Sequence, residues 1–487
     1  MAATPRVTTT SKVVTSPGIA TRALAGAVSV PEGGWGEPAR DEGAGRAGGL
    51  PPAFGHAAAR SAARAPWYIG ETVTPTDIEP LSSSDVSVRD ERRRVRYERR
   101  RRSAGWLVGE ARARAGLPRD AQIKIKHGDP DWIATPRPAR CGQRIAARVP
   151  VHVNPEHGAH YSGTERCASI HACPVCSAVI RAERALEVTD AVQRHAANGG
   201  RLAFVTLTMR HRDTDALKVT LEAALDGWRR TIRGKPWVRR RDALGVVGYV
   251  RTVEVTHGRS GWHPHIHALL FLDDAMTENE RADFEAWLYT RWSRMVTKLG
   301  GGMPTRAHGC RVDIASSDGE MLAQYLTKVQ EKAPPPTKTK VALELTRTDL
   351  KTARIAGNRT PFELLDSAND DETARDLWCE YVDATYGRRA ITWSLTLRDD
   401  LGMTDERTDQ QILDDTEPAP VAAFIPAKIY DTRRTTAHWL TTVLETAETG
   451  NLDLLLALTD GYLPDEPIPP PSPPLPPPAS ATDTTPE

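Results

Sequence analysis

No apolar run in this 487-residue chain approaches the roughly eighteen residues that a membrane-spanning helix needs, which excludes a bilayer span. No internal repeat is present, so the fold is not a repeat array. Cysteine is scarce, six in all, and no secretory signal precedes it; a disulfide framework is therefore not expected, and a cytoplasmic location is. Neither sign of charge is in excess: 64 Lys and Arg stand against 63 Asp and Glu, a formal +1, so no whole-chain field attracts a polyanion. At 39% hydrophobic and 26% charged, the composition is that of a soluble globular protein with tails.

What is present is concentrated. The segment Gly261-Trp262-His263-Pro264-His265-Ile266-His267 runs into Ala268-Leu269-Leu270-Phe271-Leu272. Side chains at i and i+2 of a strand share a face, so Ile266, Ala268, Leu270 and Leu272 are expected to face a core, with His263, His265 and His267 together on the other side. Upstream, Val247, Tyr249, Val253 and Val255 alternate as a second strand, and the parity turns Glu254 the way the histidines point. The Gly/Ser-containing link from Thr256 to Gly261 predicts a hairpin that makes the two strands antiparallel neighbours. A His, His, Glu metal site follows, with His263 competing with Glu254 as third ligand beside His265 and His267. Nitrogen and carboxylate donors without thiolate suit Mn²⁺ or Mg²⁺ with positions open to substrate oxygens; on ligand type alone zinc also fits.

The surrounding pattern supplies a scaffold. Residues 201 to 208 read as a strand, and Asp213 to Ile232 as a helix with Leu217, Leu221, Leu225 and Trp228 at helical spacing. After the two strands above, Thr277 caps a helix carrying Phe284, Leu288, Trp292 and Met295, and Cys310 to Ala315 is a further strand. The order β-α-β-β-α-β predicts an α+β fold, a split βαβ antiparallel sheet with helices on one face and the other face free for ligand. Residues 318 to 329 read as another helix, containing Glu320, Tyr325 and Lys328.

Phe204-Val205-Thr206-Leu207-Thr208, the His-Pro-His-Ile-His strand and Tyr325-Leu326-Thr327-Lys328 occur in the order of the three motifs of the HUH endonucleases. Over about residues 140 to 400 the chain resembles the single-tyrosine initiators of rolling-circle plasmid replication, especially the long actinobacterial type. The resemblance implies that His265 and His267 are metal ligands, Glu254 the third, Tyr325 the nucleophile and Lys328 its helical companion. The residue chemistry agrees: a tyrosine oxygen can attack a polarised phosphate, leaving a 5′-phosphotyrosine and a free 3′-hydroxyl able to prime synthesis. Lys328, at i+3 on the same helical face, can stabilise the developing charge. Glu320 is a candidate base for ending the reaction, although five residues is a poor helical spacing and an acidic first-turn residue is the plainer reading.

Four of the cysteines, Cys141, Cys167, Cys173 and Cys176, precede the histidine strand within a short span, while Cys310 and Cys379 stand alone. Cys173-Pro174-Val175-Cys176 is a knuckle-like pair, and four thiolates suffice for one tetrahedral structural Zn²⁺, with His171 an alternative ligand. A cysteine-rich element ahead of the first motif is usual in the resembled family. Contact with DNA through Arg140, Arg144, Arg148 and Arg166 is one reading of those residues, and solvated surface the other. Arg89 to Arg119, with Arg92-Arg93-Arg94 and Arg99-Arg100-Arg101-Arg102, is either a DNA-binding arm or a solvated charged helix; Arg229 to Arg241 is a second basic stretch, and Asp399 to Asp415 is acid-rich.

The expected organisation is a disordered tail 1–80, a basic helical segment 81–135, a Cys-rich zinc element 136–200, a catalytic domain 201–332, a linker 333–358, an α/β accessory region 359–463 and a disordered Pro-rich tail 464–487. The expected partners are origin DNA, single-stranded or as an extruded hairpin, and, because the chain has no P-loop motif of its own, a host helicase together with a polymerase. An HUH transposase or relaxase shares the histidine strand. A zinc-dependent DNA-binding regulator with a degenerate core is the reading from another class.

Overall fold

The computed structural model describes residues 83–114, 116, 136–154, 158–314, 357–414 and 419–464. The chain enters with helix α1 (Ser83–Arg114), followed by strands β1 (Arg148–Asn154) and β2 (Gly158–Tyr161) and helix α2 (Pro174–Ala197). Strand β3 (Arg201–Leu207) leads to helices α3 (Leu217–Thr231) and α4 (Lys235–Ala243), and then to the long hairpin β4 (Val246–Gly258) and β5 (Gly261–Leu272). Helix α5 (Glu278–Lys298) and strand β6 (Cys310–Ile314) complete this stretch. Beyond it come helices α6 (Pro361–Ser367) and α7 (Glu372–Thr385), strands β7 (Ile391–Trp393) and β8 (Val421–Pro426), and helices α8 (Ala427–Arg433), α9 (Ala437–Glu448) and α10 (Leu452–Thr459). The result is a mixed α+β fold with two antiparallel sheets: five strands in the order β6-β3-β5-β4-β7, and three in the order β2-β1-β8.

Strand β5 lies at the centre of the larger sheet because both of its faces find apolar cover. Ile266, Ala268, Leu270 and Leu272 pack with Ala223, Ala224 and Trp228 of α3 and with Phe284, Leu288, Trp292 and Val296 of α5. Gly227 lets the two helices approach: a Cβ there would stand 2.7 Å from Val296 and 2.9 Å from Trp292. Trp292 is fully buried and its indole N–H donates to the Thr208 carbonyl at 2.6 Å. Helix α5 begins where Thr277 predicts, with a capping box closed by Glu280.

Several expectations change in detail. The helix expected over 213–232 is shorter and is followed by a second one, α4, with Pro236 in its first turn; α4 carries part of the basic stretch. Val296 takes the core position expected of Met295, which is only half-buried. The hairpin loop is only Arg259-Ser260, with Gly258 paired to Gly261. A bulge between Val246 and Gly248 breaks the parity, so Val247 and Tyr249 pack on opposite faces and the regular alternation toward Glu254 starts at Tyr249. The sheet face expected to be free is covered away from its histidine end. Leu269 and Phe271 are apolar on that face, and Val188, Ala191 and Val192 of α2 cover them together with Ile391, Trp393, Leu397 and Leu401.

The region after 359 is woven into both sheets. Strand β7 adds an edge to the larger sheet, and β8 pairs with β1 across the cysteine-rich stretch. Helix α1 is neither a free arm nor a solvated helix. Arg89 and Arg93 meet Glu448, Arg94 meets Glu445 at 2.8 Å, Arg99 meets Asp366, and Arg114 meets Asp383. Ser103 donates to the Ala172 carbonyl at 2.9 Å, and Leu107 enters the cluster of Leu217, Phe362 and Trp378. The acid-rich stretch is used in the same way, with Asp409 on buried Arg184 at 3.0 Å and Glu406 on Arg389 at 3.2 Å. The expected tails and linker lie outside the described residues, except 357, 358 and 464.

Candidate metal centre and cysteine cluster

The register of the hairpin assembles the first group. Glu254 lies directly across from His265, and His267 sits between Thr252 on β4 and Thr206 on β3. Glu254 Oε2 is 3.2 Å from His267 Nε2 and 3.6 Å from His265 Nε2. Donor atoms of the three residues all lie within 4.8 Å of one another. An octahedral ion with arms of about 2.1 Å holds adjacent donors about 3.0 Å apart, close to the two carboxylate–imidazole separations, so the three side chains could hold one divalent cation. His265 Nδ1 is buried without a hydrogen-bond partner. The Thr206 hydroxyl is 3.3 Å from His267 Nδ1, and the Phe204 ring packs at 5.4 Å from the imidazole, which fixes the ring with Nε2 toward Glu254.

His263 stands outside this group. Its Nδ1 is 2.7 Å from Nε2 of His211, and its ring centre is 5.1 Å from that of His265. Burial, together with the neighbouring His265 and His211, pushes its pKa down to about 4. Of the two candidates for third ligand, the structure thus brings Glu254 to the histidine pair and turns His263 to His211. Sequence reading missed His211, which lies fifty-two positions from its partner and belongs to no periodic pattern. On the hairpin's opposite face the Trp262 indole donates to Glu380 at 2.8 Å, and the other Glu380 oxygen takes the Leu217 amide at the start of α3.

The four cysteines form the second group. Cys141 Sγ is 3.6 Å from both Cys176 and Cys173, and Cys167 is 3.8 Å from Cys176. All six cysteines are free of disulfides. A tetrahedral zinc with arms of about 2.3 Å spaces its sulfurs about 3.8 Å apart, so the cluster has the edge lengths of a closed four-thiolate site and could hold a metal ion. Hydrogen bonds from Cys167, Cys173 and Cys176, aided by the Arg100 guanidinium, hold the Cys141 thiol well below its usual range. Arg100 lies against Gly142, where a Cβ would stand 2.7 Å from its Nη1. His171, the alternative ligand, is elsewhere: its Nδ1 is 3.1 Å from the Tyr381 hydroxyl, and burial pushes its pKa down to about 3.

The nominated arginines are largely engaged within the fold. Arg140 pairs with Glu165 at 3.2 Å, Arg144 with Asp431 at 2.8 Å, and Arg166 donates to the Leu413 and Tyr161 carbonyls. Arg148 stacks 3.7 Å from the centre of the Phe424 ring. Glu320, Tyr325 and Lys328 lie outside the described residues, which stop at Ile314 and resume at 357.

A mixed fold with a His-His-carboxylate group at one end of the larger sheet and a separate four-cysteine cluster defines a protein with two candidate metal sites. Residues 160–298 match the model of a replication protein family. The chain is similar to "Protein rep" of Streptomyces lividans, 35% identical over 317 residues, covering 52% of this chain and 67% of that protein. It is also similar to a protein named "Neomycin resistance protein" of Streptomyces cyanogenus, 35% identical over 147 residues, covering 25% of this chain and 33% of the other. No solved structure matches. The chain belongs to the rolling-circle replication protein family, of the actinobacterial type. Among the described residues no helix is long and apolar enough to cross a membrane.

Proposed function

We propose that this replication protein acts as an initiator that cuts and rejoins one DNA strand at an origin of a plasmid or integrated element through a covalent tyrosine intermediate. The observation that carries the reading is the convergence of Glu254, His265 and His267 on the central hairpin of the sheet, within the stretch that matches the replication family. Mn²⁺ or Mg²⁺, held by these three side chains, would supply Lewis-acid polarisation of the scissile phosphate. Thr206 keeps the His267 ring in place for that task.

The Tyr325 phenolic oxygen attacks phosphorus as the 3′-oxygen of the preceding nucleotide leaves. One phosphodiester is exchanged for another, the protein remains on the 5′ end, and the free 3′-hydroxyl primes synthesis. Lys328 stabilises charge on the phosphate or the phenolate, and Glu320 activates the group that ends the reaction. The four cysteines hold a structural Zn²⁺ whose role is to tie the loop at Cys141 and the start of α2 into one rigid element.

The test uses supercoiled plasmid carrying the replication region of the element that encodes the chain, with Mn²⁺ or Mg²⁺. Wild type is expected to give nicked circles with protein on the 5′ end, and Tyr325→Phe and His265→Ala to give none. Tight binding by wild type without nicking would replace this reading with that of a DNA-binding regulator.

A further inference from the structure

We infer that His211 is a positioning residue that holds His263 in the tautomer protonated at Nδ1, so that a bare Nε2 stands beside the metal-binding group as acceptor for a hydroxyl. The chain of hydrogen bonds sets the direction. His211 Nδ1 is 2.7 Å from the Ser260 carbonyl oxygen, which can only accept, so Nδ1 carries the hydrogen. In a neutral His211 the other nitrogen, Nε2, is then a lone pair. It lies 2.7 Å from His263 Nδ1, which must donate to it. His263 has one ring hydrogen in its neutral form, and with that on Nδ1 its Nε2 is unprotonated. Among the described residues nothing else hydrogen-bonds to that nitrogen.

The relay is built into the fold. Ser260 belongs to the two-residue turn of the hairpin, whose far side is closed by Gly258 opposite Gly261. Gly261 has φ +83°, and a Cβ there would stand 2.8 Å from the Arg212 carbonyl, so the segment carrying His211 can press against the turn only because this residue is glycine. The Arg212 amide donates to Asp215 at 2.8 Å and fixes that segment in turn.

A bare ring nitrogen repels phosphate and carboxylate oxygens and attracts either a cation or an O–H or N–H donor. The cation donors gather around Glu254, and His263 is not among them. A hydrogen-bond donor remains, and at a phosphodiester the reacting donors are hydroxyls. On the reading proposed above, two hydroxyls visit the scissile phosphate: the tyrosine phenol during cutting and the deoxyribose 3′-hydroxyl during rejoining. A hydrogen bond from either to His263 Nε2 would aim an oxygen lone pair at phosphorus.

The tautomer can be read without catalysis, from ¹⁵N spectra of histidine-labelled, zinc-loaded full-length protein without Mn²⁺, at a pH where the pair is neutral. His263, assigned by loss of its signals in His263→Gln, is expected to show the Nδ1–H pattern, and His211→Phe to lose it. An Nε2–H pattern in wild type overturns the inference. Single-turnover assays on oligonucleotides then separate the hydroxyls: His211→Phe should slow cutting, rejoining or both about tenfold, with Mn²⁺ affinity within twofold of wild type. Slower rejoining alone assigns the DNA end, and slower cutting alone the phenol. His211→Gln, whose amide can both donate to Ser260 and accept from His263, should keep most of the rate. Unchanged rates, or a tenfold loss of Mn²⁺ affinity, would overturn the proposed role. A wild type that cannot cut DNA but shows Nδ1–H at His263 would sink the nuclease reading and uphold the tautomer.

Discussion

Replacing Glu254 by Gln keeps the shape of the side chain and removes its charge, which isolates the carboxylate as a ligand. Its Oε2 already lies 3.2 and 3.6 Å from the two imidazole nitrogens, against about 3.0 Å for adjacent donors on a bound octahedral ion, so it should act as a full ligand. Groups that merely orient ligands are worth about 10- to 100-fold in metal affinity, so loss of a direct anionic ligand should cost at least about 100-fold. At a Mn²⁺ concentration of about 100 times the wild-type Kd, binding stabilises the fold by about 2.7 kcal/mol. The same concentration would only equal the variant's Kd and stabilise it by about 0.4 kcal/mol. The difference of about 2.3 kcal/mol corresponds to about 3 °C in melting temperature for a fold of this size, measurable by scanning fluorimetry of zinc-loaded protein with and without Mn²⁺. His263→Gln should keep the full shift. A Glu254→Gln protein that retains it, with a His263→Gln protein that loses it, would refute the geometry.

Three further outcomes follow. Wild type should carry one zinc per chain by elemental analysis, and Cys173→Ser should lose it together with part of its thermal stability, because metal binding by the four sulfurs is coupled to folding of this element. Glu448→Ala should destabilise the fold by about 3–5 kcal/mol in chemical denaturation, since Arg89 and Arg93 lose their shared carboxylate and the side chains of Arg93 and Glu448 are only 12% and 10% exposed. Cys310 is buried, and burial pushes its thiol up to about 12, so at pH 8 it should be alkylated only as fast as the domain opens, followed by peptide mapping; rapid labelling would contradict its place in the core.

The parts legible in the sequence were those with short-range periodicity. Alternation along 261–272 gave strand β5 and its histidine face, because a strand's side-chain period is two and imidazoles are conspicuous on it. The Thr277 capping signature gave the start of α5, and the Cys173–Cys176 spacing gave half of the cysteine cluster. Glu254 was placed by parity, which held because the register is regular from Tyr249 onward; Val247, the first residue counted, falls in the bulge and faces the other way. What was hidden depends on contacts between distant segments. Arg93 finds Glu448 across 355 positions, and no local pattern distinguishes such an arginine from one that meets phosphate. The cover over Leu269 and Phe271 comes partly from a three-residue strand near position 392, too short to carry a periodic signal. His211, outside any strand or helix, meets a turn carbonyl and a histidine on β5, so neither its spacing nor its neighbours announce it.

The central claim is covalent chemistry at one tyrosine, and the direct measurement is the mass of the protein–DNA adduct. After reaction with origin DNA and Mn²⁺, exhaustive nuclease and protease digestion should leave a nucleotide phosphate on the peptide containing Tyr325, absent when Mn²⁺ is omitted or His265 is replaced by Ala. An adduct on another residue, or cut DNA with free 5′-phosphates and no adduct at all, would contradict the account.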